Sequence, residues 1–251
     1  MDDVVERLLR VRRGELPRPA ALPAELAPRS EAEAYLVQLQ VFKRLGAYVG
    51  GWKASMPDPT QGWSAPIASS NLLRAGAPLA APALLTARTP RVGIEPEIAF
   101  TLAHALPAGP VYTRGQVLQA VAGAHAALEL CVCRLADFDA APVLDRLADG
   151  LMNEALALSA PCADWRSLEL KRLPLRLQVD GEVVHQGLGG HPLQDPIVPL
   201  VWMANHLSAR GIGLQAGDVV TTGSCAGIRW VLPGRHVHAE FAGLGVVEVR
   251  I

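Results

Sequence analysis

Apolar positions recur at helical spacing in two segments near the start of the chain. Residues 2–13 place Val and Leu side chains on one face among charged residues, and residues 30–48 repeat this pattern. Ser30 followed by Glu33 is typical of a helix N-terminus, because the Ser30 side chain can accept from the Glu33 N–H and the Glu33 side chain from the Ser30 N–H. The Pro-rich residues 16–28 break the pattern between them. We therefore predict two helices joined by an irregular arm.

Residues 53–90 are dense in Pro, Gly and Ser, which interrupt both helices and strands. The sequence predicts only short strands and ordered loops there. A loop this long inside a compact domain is typical of a binding site or a lid.

The rest of the chain is dominated by strand patterns and turns. Helices are predicted for residues 113–128 and 195–209, and strands for residues 92–102, 129–135, 218–222, 236–241 and 246–251. Residues 173–179 alternate strictly, and Asp180-Gly181 supplies a two-residue turn before residues 182–185 return as the second strand of a hairpin. The pattern indicates an α+β fold that is mostly β.

Composition narrows the class of protein. The chain has 251 residues, with 23 basic and 24 acidic side chains, and half of its residues are apolar. This composition favours one large domain after a short N-terminal extension. The balanced charge disfavours nucleic acid as a partner, and the longest uncharged stretches are too short to cross a membrane. No signal-peptide pattern is present, so we expect a soluble cytoplasmic protein. The four cysteines lack metal or disulfide spacing, so we expect free thiols that pack as small hydrophobes.

Glu95 and Glu97 are the first candidates for chemistry. Residues two apart on a strand point to the same face, so both carboxylates would lie side by side and need a cation or a shared proton. Carboxylate oxygens suit Mg²⁺ or Mn²⁺. Pro96 between them favours a solvated sheet edge instead, which from spacing alone is the more common outcome.

Lys53 is the second candidate, in the sequence Gly50-Gly51-Trp52-Lys53. A buried ammonium can stabilise an enolate, although most lysines lie on the surface. Residues 217–224 predict a strand that runs into a Gly turn, where hydroxyls and backbone N–H groups could bind an anion or simply form an ordinary turn. His191 lies in a constrained loop and could act as acid or base, or be a hydrogen-bonded surface residue.

Several short motifs occur together in one order. They are Gly50–Lys53, Glu95–Phe100, Ala127–Glu129 with Arg134, Gly181–Val184, Gly190–Leu193, Trp202–Asn205, Gly217–Gly223 and Gly243–Gly245. In this order the chain, over about residues 31–251, resembles the fumarylacetoacetate hydrolase superfamily. Within it, the branch of 2-keto-4-pentenoate hydratases and 4-oxalocrotonate decarboxylases is the most similar.

The resemblance implies a mixed β-roll or sandwich flanked by helices, assembled as homo-oligomers. Residues 1–30 would be an N-terminal helix and Pro-rich arm, and residues 31–251 a hydratase-like catalytic domain. The resemblance also implies Mg²⁺ or Mn²⁺ chelating a small 2-oxo acid, as in the catabolism of aromatic compounds. It assigns Glu95 and Glu97 as metal ligands and Lys53 as the enolate-stabilising residue. The substrate contacts that it implies are Thr222, the Gly223 backbone and Ser69, and His191 is a further candidate for catalysis.

Three positions depart from the family pattern. Val132 stands where the resemblance implies a third metal-ligating Asp, and residues 148–152 lack the Asn and Ser of the matching pocket segment. Residues 66–69 replace a loop that usually carries an acid. Glu129 or Asp149 could compensate only if the backbone brings it near the other acids.

The leading hypothesis is a hydratase-type lyase acting on a small 2-oxo or 2-hydroxydienoic acid through an enolate. A second is an enzyme of the same fold with a drifted metal site, performing metal-independent isomerisation, decarboxylation or hydrolysis. A third is a noncatalytic partner subunit of an active homologue, and in either role a complex with a pathway enzyme is possible.

Overall fold

A computed structural model describes residues 1–75 and 91–251. The helices are α1 (Asp2–Arg12), α2 (Glu31–Arg44), α3 (Arg114–Ala120), α4 (Val143–Ala148) and α5 (Ile197–Ala209). The strands are β1 (Val49–Asp58), β2 (Gln61–Ala68), β3 (Leu72–Arg74), β4 (Val92–Leu102), β5 (Val121–Cys131), β6 (Asn153–Leu158), β7 (Pro174–Val179), β8 (Glu182–Leu188), β9 (Val219–Ser224), β10 (Arg229–Val231), β11 (His236–Phe241) and β12 (Gly245–Arg250).

A large mixed sheet and a small antiparallel sheet form the body of the protein. The large sheet has the order β2-β1-β9-β4-β5-β6-β3, and β10 pairs with β4 beside it; the small sheet has the order β12-β11-β7-β8. The main hydrophobic core includes residues of both sheets and of α5, such as Phe100, Leu130, Leu177 and Phe241. This arrangement confirms the predicted mostly β architecture with flanking helices.

A second hydrophobic cluster joins the N-terminal helix to the body. Val5 and Leu9 of α1 pack with Tyr35 of α2 and Leu147 of α4. Ser30 accepts a hydrogen bond from the Glu33 backbone N–H, as the sequence predicts for this helix start. Burial of these side chains holds α1 against the rest of the chain.

The predictions for residues 53–68 are wrong about strand length. β1 has ten residues and β2 has eight, each long enough to form a substantial antiparallel pair. Proline is accommodated because β2 is the outer strand of the sheet, and Pro57 lies where the β1–β2 register shifts. The remainder of the predicted loop, residues 76–90, lies outside the described residues.

The helix predicted for residues 113–128 is only half correct, and the strand predicted for residues 129–135 in fact starts at Val121 and ends at Cys131. α3 ends at Ala120, and β5 continues from Val121 to Cys131 as an inner strand paired with both β4 and β6. An inner strand is covered on both faces, so its unbroken apolar run can imitate a buried helix. The correction places Glu129 well inside a strand, directly opposite Glu95.

The other elements agree with the sequence pattern. β4 has the predicted bounds, and the hairpin β7–β8 turns at Asp180 and Gly181, both with positive φ. α5 ends before Gly211, and β9, β11 and β12 lie within two residues of their predicted limits. Within the described part of the chain, no helix is both long and apolar enough to cross a membrane.

We expect one histidine to make stability depend on pH. The His206 ring stacks on Trp202 with centroids 4.4 Å apart, and burial, followed by the charge of Arg210, lowers its pKa to about 4. A depressed pKa means that the folded state favours the neutral ring, so this stability is present above the unfolded-state pKa of about 6.5 and is lost as pH falls towards 4.

Chemical denaturation from about pH 7 to about pH 4 should therefore show the wild-type protein losing on the order of 1–2 kcal/mol more than His206→Gln. The two proteins share their other titratable groups, so the difference isolates this ring. Parallel pH profiles for both proteins would contradict the expectation.

Candidate active site

Three carboxylates face one another inside the large sheet. Glu95 and Glu97 lie two residues apart on β4, and Glu129 is the cross-strand neighbour of Glu95 on β5. β4 is an inner strand, and Glu97 and Glu129 are 1% and 0% exposed. Pro96 does not mark a solvated edge, because it lies beside the irregular register between β4 and β9, where its missing N–H is tolerated.

The Lys53 ammonium group joins these acids from β1. Its Nζ lies 2.9 Å from Glu129 Oε1 and 3.8 Å from Glu95 Oε2, and it donates to the Leu151 carbonyl at 3.1 Å. The side chain is buried, so the sequence-based alternative of a surface lysine does not apply. We call Lys53, Glu95, Glu97 and Glu129 the acid–lysine cluster.

The acid–lysine cluster contains more acidic than basic groups. Burial alone would lower the pKa of Lys53, but the carboxylates, Glu129 foremost, hold it well above its usual value. Burial, followed by the charges of Glu129 and Glu95, raises the pKa of Glu97 well above its usual value. Three carboxylates against one ammonium leave two uncompensated negative charges when all are ionised. A buried site of this kind is stabilised by a cation.

The carboxylate oxygens of the acid–lysine cluster are only partly satisfied by hydrogen bonds. Glu97 Oε2 accepts from the Thr221 hydroxyl and from the Gly223 N–H at 2.9 Å, and Glu129 Oε1 accepts from Asn153 at 2.9 Å. Among the described residues, Glu97 Oε1 and Glu129 Oε2 are buried with no hydrogen-bond donor. Buried unpaired carboxylate oxygens are costly unless a cation is bound. The donor set therefore fits a divalent ion.

Cys131 also faces the acids, contrary to the expectation of a purely packing thiol. It follows Glu129 by two residues on β5, so both side chains project from the same face. Its Sγ lies 3.4 Å from Glu95 Oε2, and the ligand atoms of Glu95, Glu129 and Cys131 all lie within 4.8 Å of one another. Sulfur is thus part of the site.

A strained turn presents the carbonyl that binds Lys53. Gly150, Leu151 and Met152 all have positive φ, at 85°, 55° and 65°. Only glycine adopts this conformation freely, so the two larger residues together cost on the order of 2 kcal/mol. The hydrogen bond from Lys53 to Leu151 offsets part of that cost and fixes the ammonium position. Residues 148–152, which depart from the family pattern in sequence, therefore still contribute to the site through their backbone.

Thr222, His191 and Ser69 are not brought to the carboxylates. The Thr222 hydroxyl donates to the Ile98 carbonyl, and it is the neighbouring Thr221 whose hydroxyl reaches Glu97. Both ring nitrogens of His191 are engaged, one with the Thr222 carbonyl at 2.8 Å and the other accepting from the Leu193 N–H. Ser69 is exposed in a short 3₁₀ turn after β2, and within the described structure its hydroxyl is bonded to none of the buried acids. The Gly223 backbone N–H, expected to contact a substrate carboxylate, instead donates to Glu97 Oε2.

Val132 belongs to the main hydrophobic core rather than to the site. Strand alternation turns it away from the face that carries Glu129 and Cys131. Asp149 is also unavailable, because both of its carboxylate oxygens accept from Arg134 Nε, at 2.9 and 2.8 Å. Glu129 is therefore the acid that supplements Glu95 and Glu97. Its position opposite Glu95 follows only from the pairing of β5 with β4, which the sequence pattern does not predict.

The fold and the site together define a mostly β protein with a buried acid–lysine centre in its large sheet. Residues 43–251 match the family described as fumarylacetoacetate (FAA) hydrolase, C-terminal, and the chain belongs to this family. The resemblance predicted from the sequence motifs is thereby confirmed.

The chain is similar in sequence to enzymes of two activities. The 2-keto-4-pentenoate hydratase of Burkholderia vietnamiensis is 32% identical over 155 residues, which make up 62% of this chain and 58% of that enzyme. The 4-oxalocrotonate decarboxylase of Pseudomonas putida is 29% identical over 157 residues, 62% of this chain and 59% of that enzyme. The matched region thus spans less than two thirds of these relatives.

Similarity of fold extends over nearly the whole chain. The 4-oxalocrotonate decarboxylase from Pseudomonas putida G7, solved in complex with magnesium and adipate, has a TM-score of 0.84. The match covers 99% of this chain and 95% of the decarboxylase at 20% sequence identity. At that identity the likeness shows the fold alone.

Proposed function

We propose that the protein is a hydratase-type lyase that acts on a small 2-oxo or 2-hydroxydienoic acid through an enolate. The observation that carries this proposal is the buried Lys53 ammonium, 2.9 Å from Glu129 within a group of three acids. A fixed positive charge in a water-poor site stabilises the negative charge that develops when a keto compound enolises. The hydratase and decarboxylase relatives support this substrate class.

Glu95, Glu97 and Glu129 are the residues that would hold a divalent cation, Mg²⁺ or Mn²⁺. The two unpartnered oxygens support this assignment. Two solved neighbours of similar fold also hold divalent ions: the decarboxylase from Pseudomonas putida G7 is complexed with magnesium, and the fumarylpyruvate hydrolase from Pseudomonas aeruginosa with Mn²⁺ and pyruvate. When bound, such an ion supplies Lewis-acid polarisation of the carboxylate and keto oxygens of a 2-oxo acid.

Lys53 acts as a charged donor rather than as a base. Its pKa is held above the usual value by the acids, once the opposing effect of burial is overcome, so the group keeps its proton at neutral pH. The ammonium can therefore donate a hydrogen bond to an enolate oxygen.

His191 acts as a positioning residue in this scheme. Its buried ring fixes the Thr222 carbonyl, and the next N–H along the chain, that of Gly223, holds Glu97. Both ring nitrogens are occupied, which leaves no free nitrogen for proton transfer in this arrangement.

Turnover of the two substrate types tests the proposal. Protein loaded with Mn²⁺ is mixed separately with 2-keto-4-pentenoate and with 4-oxalocrotonate, and the products are identified by proton NMR and by CO₂ release. We expect hydration of the first compound, without CO₂, and loss of activity after chelation. CO₂ release from the second compound alone would make the protein a decarboxylase. Metal binding without turnover of either compound would favour the partner-subunit hypothesis, and activity that survives chelation would favour a metal-independent enzyme.

A further inference from the structure

Cys131 distinguishes this acid–lysine cluster from a site made of oxygen donors alone. The thiol is fully buried, it lies on the same face of β5 as Glu129, and it donates a hydrogen bond to Glu95. The position opposite Cys131 on β4 is Gly93, where an added Cβ atom would clash first with the Ile228 side chain and would lie 3.1 Å from the Cys131 Cβ. Glycine at this position leaves room for the side chains of Ile228 and Cys131.

The spacing of the three donors suits a single ion. Two ligands of one transition metal at about 2.0–2.3 Å can lie no further apart than about 4.6 Å. The ligand atoms of Glu95, Glu129 and Cys131 already lie within 4.8 Å of one another, so small side-chain movements would complete the shell. The unpartnered Glu129 Oε2 provides an independent indication that a ligand belongs here.

We propose that Cys131 is a ligand of the bound cation, and that it shifts the preference of the site from Mg²⁺ towards borderline ions such as Co²⁺ and Zn²⁺. Thiolate sulfur is a soft donor that binds these ions well and Mg²⁺ poorly. On coordination the thiol proton, now directed at Glu95, leaves to solvent and the sulfur lone pair binds the metal. This inference rests on the proposed function, because it concerns the same cation site.

Cobalt is a direct probe of the sulfur. Metal-free protein is titrated with Co²⁺, and the near-ultraviolet charge-transfer band of a thiolate–Co²⁺ bond is recorded. We expect the band in the wild-type protein and its loss in Cys131→Ser, with a fall in Zn²⁺ affinity of at least about tenfold and an unchanged Mg²⁺ affinity by equilibrium dialysis. Cys133→Ser is the matched control, because that thiol is half-buried and donates to the Leu135 carbonyl.

The outcomes separate this inference from the function on which it rests. Two results would overturn the assignment of Cys131 while leaving the carboxylate site intact. One is Co²⁺ binding without the band, and the other is a band that persists in Cys131→Ser. Loss of the band on replacing the other buried cysteine, in Cys225→Ser, would also overturn it. Failure of Co²⁺, Mn²⁺ and Mg²⁺ to bind at all would overturn both. If Cys131→Ser does not fold, the cadmium NMR spectrum of the Cd²⁺-bound wild-type protein tests the assignment instead. Sulfur ligation moves the cadmium resonance strongly downfield, and a resonance without that shift would overturn the assignment of Cys131.

Discussion

Replacing Glu129 with Gln should weaken divalent-metal binding by at least about 100-fold. The amide keeps the size of the side chain but removes one of three carboxylates that face the same buried space. It also places an NH₂ group near the Lys53 ammonium and the Asn153 amide, which now bond to Glu129 at 2.9 Å. Isothermal titration calorimetry with Mn²⁺ measures the affinity directly, and turnover at a fixed Mn²⁺ concentration should fall with it.

Glu240→Gln is a suitable control for this experiment. Glu240 is also a strand glutamate, on β11, but it is exposed and remote from the acids. Its replacement should leave both metal affinity and turnover unchanged. Wild-type Mn²⁺ affinity in Glu129→Gln would show that this acid is not a ligand, and the cation site would then have to be sought elsewhere.

Lys53→Met should separate catalysis from metal binding. Methionine fills a similar volume without charge, so the variant loses the donor proposed to stabilise the enolate. We expect kcat to fall by about 10²–10³, the usual effect of removing one oxyanion donor. The Mn²⁺ affinity should hold or increase, because a positive charge 2.9 Å from Glu129 is removed.

Lys43 provides the control for the Lys53→Met variant. Lys43→Met removes the same group from an exposed position on α2 and should change neither kcat nor metal affinity. Thermal melting of each variant checks that any lost activity does not come from unfolding. If Lys53→Met turns over substrate at the wild-type rate, the ammonium has no part in stabilising the enolate.

The strand that carries Glu95 and Glu97 could be predicted from the sequence because its pattern is local. β4 has the predicted bounds, and its period of two places both acids on one face. Burial of that face was not predictable, since Pro96 is more typical of an edge. The position of β4 between β5 and β9 depends on pairing with residues more than 100 positions later in the chain.

The sequence named Glu129 only as one of two acids that could replace the absent Asp, and it did not single out Thr221. The unbroken apolar run of residues 121–128 fits a helix and an inner strand equally well, and only the pairing of β5 with β4 and β6 decides between them. Thr221 and Thr222 are adjacent and chemically identical, so a shift of one residue exchanges their faces. The resemblance to a family identified the segment, but register determines which hydroxyl meets Glu97.

The N-terminal helix is connected to Lys53 through a short chain of polar contacts. Arg12 of α1 lies 3.3 Å from Asp149 and 3.8 Å from Glu154, the two acids that also hold Arg134. Asp149 directly precedes the left-handed turn whose Leu151 carbonyl accepts the hydrogen bond from Lys53. Helix α1 thus supports the acid–lysine cluster from outside, and removing this helix would loosen the anchor of Lys53 without altering any member of the cluster.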